Sequence, residues 1–331
     1  MTSTSDLDYD LPASAIAQEP VEPRDAARLL VDAGPDTPAG HRTVADLPSL
    51  VGPGDLLVVN DTRVIPARLR LHKATGGAVE VLLLERREGA RWEALVRPSR
   101  RVPPGTTLSD GELRLEVGDD LGAGRRSIEV LAGDPVSHGE VALPPYIHRP
   151  LEDPERYQTV YARRAGSVAA PTAGLHVTTA LLDACRAAGA EVAAVELVVG
   201  LATFRPITTD RVEDHPIHAE GYDVPAEVLE RCRAAERVVA VGTTVVRALE
   251  SAARSGPAGR TELFIHGDFE FRVVDRLLTN FHVPRSSLLA LVDAFVGPRW
   301  RRLYGTALQE GYRFLSFGDA MLLDRRWGRA A

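Results

Sequence analysis

Gly54-Asp-Leu-Leu-Val-Val-Asn-Asp-Thr-Arg63 decides how the chain folds. Leu56 to Val59 is an unbroken apolar run, the mark of a strand buried on both faces. Asn60, Asp61, Thr62 and Arg63 follow at its C-terminal end, offering an amide, a carboxylate, a hydroxyl and a guanidinium in succession. In open α/β sheets that edge is where ligands bind. A polar turn closed by an Asx-type hydrogen bond is the plainer reading of the same residues.

Outward from this strand the pattern recurs. A strand over 237–241 runs into Gly242-Thr-Thr244, and a helix opens on the two threonines. Thr243 or Thr244 suits an N-cap, and their amides and hydroxyls also suit an anionic or polar ligand group. Strands over 261–266 and 271–278 lead to Thr279-Asn-Phe-His282, then to a serine N-cap and a helix over 288–295. After a last helix over 301–311, Tyr312-Arg-Phe-Leu-Ser-Phe-Gly-Asp319 ends in a carboxylate. Gly166-Ser-Val-Ala-Ala-Pro-Thr-Ala-Gly-Leu-His176 is a shaped loop, in which Pro171 fixes the backbone, Gly174 frees it and small residues admit a close ligand. It delivers His176 beside a helix that starts near Thr178. Polar sets thus stand at 60–63, 171–176, 243–244, 280–282 and 316–319. Their convergence on one cleft is the expectation.

Residues 70–145 change character. Short strands over 78–84, 92–96, 112–117 and 127–131 alternate with turn signals such as Gly76-Gly77 and Pro103-Pro104-Gly105, the pattern of a small barrel or sandwich. The expected fold class is α/β: a larger α/β domain of residues 1–69 and 146–331, with a β-barrel-like domain of residues 70–145 inserted. Arg68 and the cluster Arg97, Arg100 and Arg101 are candidate phosphate contacts for RNA, or simply a charged hairpin surface.

With 44% hydrophobic and 26% charged residues, a chain of 331 can bury a sizeable core. A net charge of −7 excludes a general nucleic-acid coat, so an RNA partner would need a local patch. Lys73 is the only lysine, which leaves phosphate contacts to the forked guanidinium of arginine. No apolar run reaches transmembrane length, and Met1–Asp10 is polar and acidic, unlike a signal peptide. Cys185 and Cys232 read as buried free thiols of a cytoplasmic protein. No cluster has metal-ligand spacing, so no metal is expected.

Several separated blocks resemble the S-adenosylmethionine:tRNA ribosyltransferase-isomerase family of queuosine biosynthesis. They are 10–18 with 24–31, 54–69, Leu143-Pro-Pro-Tyr-Ile147, Tyr157-Gln-Thr-Val-Tyr161 and the loop 166–176. The resemblance runs almost from end to end. It implies a β-barrel-like domain within an α/β one, S-adenosylmethionine as co-substrate, and tRNA carrying 7-aminomethyl-7-deazaguanine as partner. The implied reaction moves the ribosyl carbons onto that base, releases adenine and methionine, and leaves epoxyqueuosine-tRNA. No membrane is involved, and a monomer is expected.

Such chemistry needs a base beside the sulfonium carbon, an acid for the departing adenine and donors for developing charge. His176 and His282 are the acid/base candidates, with Asp61 and Asp319 to orient a histidine or bind ribose. Asn60, Thr62, Arg63, Pro171 and Thr172 are candidate S-adenosylmethionine contacts. Gly174, Thr243, Thr244 and Asn280 complete that set. Tyr146, Tyr157 and Tyr161 suit either base stacking or packing. Four positions depart from the family pattern: Val177 for phenylalanine, Val198 for histidine, Ala202 for glycine and Gly221 for an aromatic. They make a paralogue with a small-molecule acceptor the alternative reading. A non-catalytic RNA-binding module is the alternative of another class, and it has no use for the loop 166–176.

Overall fold

The computed structural model of the protein describes residues 3–200 and 206–325. Its strands begin with β1 (Arg28–Val31), β2 (Gly40–Thr43), β3 (Asp55–Asn60), β4 (Thr62–Val64), β5 (Arg68–Lys73) and β6 (Ala78–Arg86). Then come β7 (Arg91–Arg97), β8 (Thr106–Asp110), β9 (Leu113–Gly122), β10 (Arg125–Ala132) and β11 (Arg164–Ser167). After α1 (Thr179–Ala187) and β12 (Glu191–Leu197) follow β13 (Glu220–Asp223), α2 (Ala226–Ala234), β14 (Arg237–Val241) and α3 (Thr243–Ser255). The chain closes with β15 (Ala258–Thr261), β16 (Arg276–Asn280), α4 (Ser287–Val296), α5 (Arg299–Gln309) and β17 (Ala320–Asp324).

These elements form two compact units. One contains the described residues up to Thr62, Pro144–Arg164 and those from Ala170 onward; the other is Arg63–Leu143 with Ala165–Ala169. In the first, β3 is buried along its whole length, as its apolar run dictates. It lies parallel between β12 and β14, and β14 lies parallel to β16. The sheet order is β15-β13-β12-β3-β14-β16-β17-β1-β2. Because β12, β3, β14 and β16 run the same way, their C-terminal ends share one edge. β17 runs antiparallel to β16 with Ala320 opposite Asn280, so the residues just before β17 arrive at that edge as well.

One side of this sheet is closed by α1. Leu57 and Val59 of β3, Val239 and Val241 of β14 and Leu322 of β17 pack with Leu181, Leu182 and Cys185. Each such side chain contributes about 1.5–3 kcal/mol by leaving water. Thr178 caps α1, its hydroxyl accepting the Leu181 N–H at 3.0 Å. The other unit is a closed six-stranded barrel, β10-β7-β6-β5-β8-β9. Its lining alternates along the strands, with Leu69 and Leu71 of β5 and Val79, Val81 and Leu83 of β6 all buried. The expected α/β class with an inserted barrel is the architecture that forms.

Three local expectations are corrected. β15 stops at Thr261 and β16 starts only at Arg276, so the strands expected over 261–266 and 271–278 do not form as such. Glu250 supplies the reason for the second. Its fully buried carboxylate accepts the backbone N–H groups of Arg272, Val273 and Val274 at 2.9, 3.0 and 3.2 Å. It also takes the Arg254 guanidinium at 2.6 Å. Amides satisfied by a side chain do not seek a strand partner. Lastly, the N-cap of α3 is Gly242, at φ 100°, and not Thr243 or Thr244, which occupy the first two helical positions.

Glu250→Ala removes one half of a buried charge pair and strands the three amides. The expected loss is about 3–5 kcal/mol, seen as a lower thermal midpoint. An unchanged midpoint would show that the carboxylate is dispensable.

Candidate active site

The loop ahead of α1 forms a single helical turn, Thr172–His176. Arg24 donates to the carbonyls of Gln158 and Leu175 at 2.8 and 3.3 Å, tying the Tyr157–Tyr161 segment to this turn. Gly174 is required by a close approach: a Cβ there would lie 2.1 Å from the Tyr161 hydroxyl and 2.9 Å from Thr159 Cγ2. Asn280, at the end of β16, holds the turn against the sheet. The Thr172 hydroxyl donates to its Oδ1 at 3.0 Å, and its Nδ2 lies 2.9 Å from His176 Nε2. The His176 ring is buried. Burial, with Arg313, Arg156 and Arg24 nearby, pushes its pKa down to about 4.

Two adjacent cavities open at this edge. One, about 330 Å³ including the solvent at its mouth, is lined by Pro171, Thr172, Val199, Thr243 and Thr244 among others. The second, about 300 Å³ on the same measure, is lined by Tyr146, Phe281, Ser286, Leu315 and Ser316 among others. Thr172, Asn280, His282 and Leu288 line both. His176 lines neither, because its ring sits behind Asn280. Of the two candidate histidines, His282 is therefore the one that faces the cavities.

His282 is held on every side. Its backbone N–H donates to the Tyr304 hydroxyl at 3.0 Å, and its carbonyl accepts from the Tyr9 hydroxyl at 2.6 Å. Phe281 beside it stacks on Phe314 with centroids 4.5 Å apart. Its Nε2 lies 2.8 Å from the Thr279 hydroxyl. Burial pushes the imidazole down to about 3, so it is neutral at physiological pH.

The remaining candidates divide into cavity walls and structural pins. Thr243 and Thr244 stand at the start of α3, where the first amides of a helix have no intrahelical acceptor. Asn60 is fully committed: its Nδ2 donates to the Leu197 carbonyl at 3.0 Å and to the Thr244 hydroxyl at 3.3 Å, and its Oδ1 accepts the N–H groups of Thr62 and Leu197 at 3.1 and 3.2 Å. It joins the ends of β3 and β12. Asp61 is buried with Arg163 at 3.0 Å and Arg164 at 3.6 Å, and it orients no histidine. Asp319 accepts the backbone N–H of Arg28 at 2.9 Å and of Arg313 at 2.8 Å, so it too pins backbone and holds no histidine. Thr62 opens β4 and donates its N–H to Asn60, and Arg63 begins the barrel unit.

On the barrel, Arg68 is half-buried beside Glu80 at 3.7 Å. Arg97, Arg100 and Arg101 are exposed and make no ion pair with a described residue. Leu315 and Ser316 were legible only as part of a polar segment. Leu315 has a left-handed backbone, φ 71°, and its carbonyl accepts both Gly318 N–H at 2.9 Å and Asn280 Nδ2 at 3.2 Å. Ser316 pairs with the Tyr146 hydroxyl at 2.7 Å, whereas Tyr157 is wholly buried. Of the four departures, Val177 lies in the core under α1, and Val198 stands beside Gly221, whose Cβ would meet it at 3.9 Å. None of these three lines either cavity. Ala202 lies outside the described residues.

A family model described as queuosine biosynthesis protein matches residues 4–323. The chain is 54% identical over 325 residues to the S-adenosylmethionine:tRNA ribosyltransferase-isomerase of Rubrobacter xylanophilus, covering 97% of each protein. It is 52% identical over 344 residues to the protein of that name from Thermus thermophilus, covering 96% of this chain and 98% of the other. Among solved structures, the S-adenosylmethionine tRNA ribosyltransferase of Thermotoga maritima superposes with a TM-score of 0.55 at 37% identity. That match covers 96% of this chain and 99% of the other.

Two outcomes follow from the geometry. Gly174→Ala drives a Cβ into the Tyr161 hydroxyl and should cost about 1–3 kcal/mol. That hydroxyl is buried without a hydrogen bond to any described residue, so Tyr161→Phe should be neutral or stabilising and should recover part of the loss in the double variant; calorimetry checks the cycle. The second concerns pH. His176 and His282 titrate below the ordinary 6.5 only in the folded state, so the unfolded chain binds more protons below that pH. Stability should fall as pH drops through 6.5, with the loss complete below about 4 for His176 and about 3 for His282. Between pH 6.5 and 5 each imidazole contributes roughly 2 kcal/mol of that loss. Urea titrations at both pH values should show a smaller drop for His282→Gln.

Proposed function

The chain belongs to the queuosine biosynthesis protein family, and we propose that it transfers and isomerises the ribosyl moiety of S-adenosylmethionine onto 7-aminomethyl-7-deazaguanine at the tRNA wobble position. The products are epoxyqueuosine-tRNA, adenine and methionine. The observation that carries this reading is 54% identity along nearly the whole of a relative so named. The protein acts in the cytoplasm, where tRNA is, and as a monomer. No described helix is long and apolar enough to cross a membrane.

The two cavities divide the work. The α3 amides of Thr243 and Thr244 suit the methionine carboxylate. Tyr146, in the second cavity, offers an aromatic face to a base. His282, on the shared wall, accepts the proton that the neighbouring sulfonium acidifies. A neutral imidazole keeps a lone pair free at physiological pH and is compatible with a cation beside it. Arg97, Arg100 and Arg101 contact tRNA phosphates. The small-molecule paralogue loses support because Val177, Val198 and Gly221 line neither cavity.

Labelled S-adenosylmethionine with tRNA carrying the modified base tests the reaction. Adenine release together with label in the tRNA is the expected result. Tight S-adenosylmethionine binding with no label in tRNA would transfer the reading to another acceptor. Replacing Arg97, Arg100 and Arg101 by alanine together should raise KM for tRNA and flatten its logarithmic salt dependence by roughly 0.7–0.9 per lost phosphate contact. Affinity for S-adenosylmethionine should not change.

A further inference from the structure

Hydrogen-bond accounting around Asn280 fixes more than its position. The carbonyl oxygen of Leu315 accepts only, and it lies 3.2 Å from Asn280 Nδ2. Flipping the amide would set two acceptor oxygens against each other, so the NH₂ group must face Leu315. That carbonyl has no freedom to turn away. It also accepts the Gly318 N–H, and a Cβ at Gly318 would lie 2.4 Å from the Arg313 carbonyl oxygen. With the amide so set, the same NH₂ group meets His176 Nε2 at 2.9 Å, and Nε2 must be the unprotonated nitrogen. Oδ1 then faces Thr172, whose hydroxyl must donate to it at 3.0 Å. The lone pairs of Thr172 Oγ1 are what remain for the cavities it lines.

We propose that Leu315, His176 and Asn280 together set Thr172 as a hydrogen-bond acceptor on the wall shared by the two cavities, where it takes a ribosyl hydroxyl of S-adenosylmethionine. This rests on the reading of the cavities as the donor and acceptor sites of the transfer. The ribosyl fragment leaves one partner and joins the other, so it must stand where the cavities meet. Thr172, Asn280, His282 and Leu288 are the residues there. Thr172 is then a specificity residue, and His176 is a positioning residue that acts through Asn280 and exchanges no proton with substrate.

The test joins binding, turnover and substrate analogues. Thr172→Val keeps the shape and removes both the lone pairs and the donor to Asn280 Oδ1. It should weaken binding of S-adenosylmethionine by about tenfold, while Thr172→Ser stays within about threefold of the wild type. Against either the 2′-deoxy or the 3′-deoxy analogue, Thr172→Val should bind as well as the wild type does. His176→Leu should raise KM by about tenfold, and His176→Gln, whose amide oxygen can accept from Asn280, should restore it to within about threefold. Thermal midpoints of all variants separate these effects from unfolding. If His176→Gln instead loses kcat by a hundredfold or more at unchanged KM, His176 transfers a proton and the inference fails. If Thr172→Val weakens both deoxy analogues as much as S-adenosylmethionine itself, Thr172 holds no ribosyl hydroxyl. A wild-type protein that does not bind S-adenosylmethionine overturns the functional reading and this inference together.

Discussion

Parallel pairing of β12, β3, β14 and β16 is the constraint on which the larger unit depends. Parallel neighbours force the chain to cross back over the sheet before each new strand. Every such strand then ends on the same edge, and whatever follows it is delivered there. An antiparallel arrangement would have split Asn60, Thr243 and Asn280 between opposite edges. The antiparallel β17 contributes through its start, which is why Leu315 and Ser316 join the group from the other direction.

An edge so crowded with polar side chains must satisfy most of them internally. Asn60 spends its amide on β12, its own turn and the Thr244 hydroxyl of α3, and Asp319 spends its carboxylate on two backbone amides. Asp61 is neutralised by arginines. What stays open toward the cavities is narrow: the first amides of α3, the lone pairs of Thr172 and the ring of His282. The phenols of Tyr9 and Tyr304 grip the backbone of His282 from both sides, which gives a residue outside regular secondary structure the rigidity of one within it.

The strands whose burial is uniform were readable from the chain alone. β3 announces itself by four consecutive aliphatic residues and β14 by a run that ends at a glycine. Less readable was β5, although Arg68-Leu-Arg-Leu-His-Lys73 alternates with a strand's period; its charges suggested a surface before they suggested a strand. The division of polar residues into pins and walls was not readable at all. His176 and His282 look equivalent in sequence. The difference between them, one behind Asn280 and one in front, arises from a contact across more than a hundred residues. Likewise nothing local to Arg272, Val273 and Val274 indicates that a carboxylate on a distant helix claims their amides.

That claim by Glu250 bears on how the larger unit assembles. A carboxylate with no exposure cannot lose its water in stages while its amide partners are still elsewhere. α3 and the segment that leads into β16 therefore stabilise one another. β16 in turn carries Asn280, which lines both cavities. The hydrogen bonds at Glu250 thereby support, through β16, the residue that holds Thr172 in place.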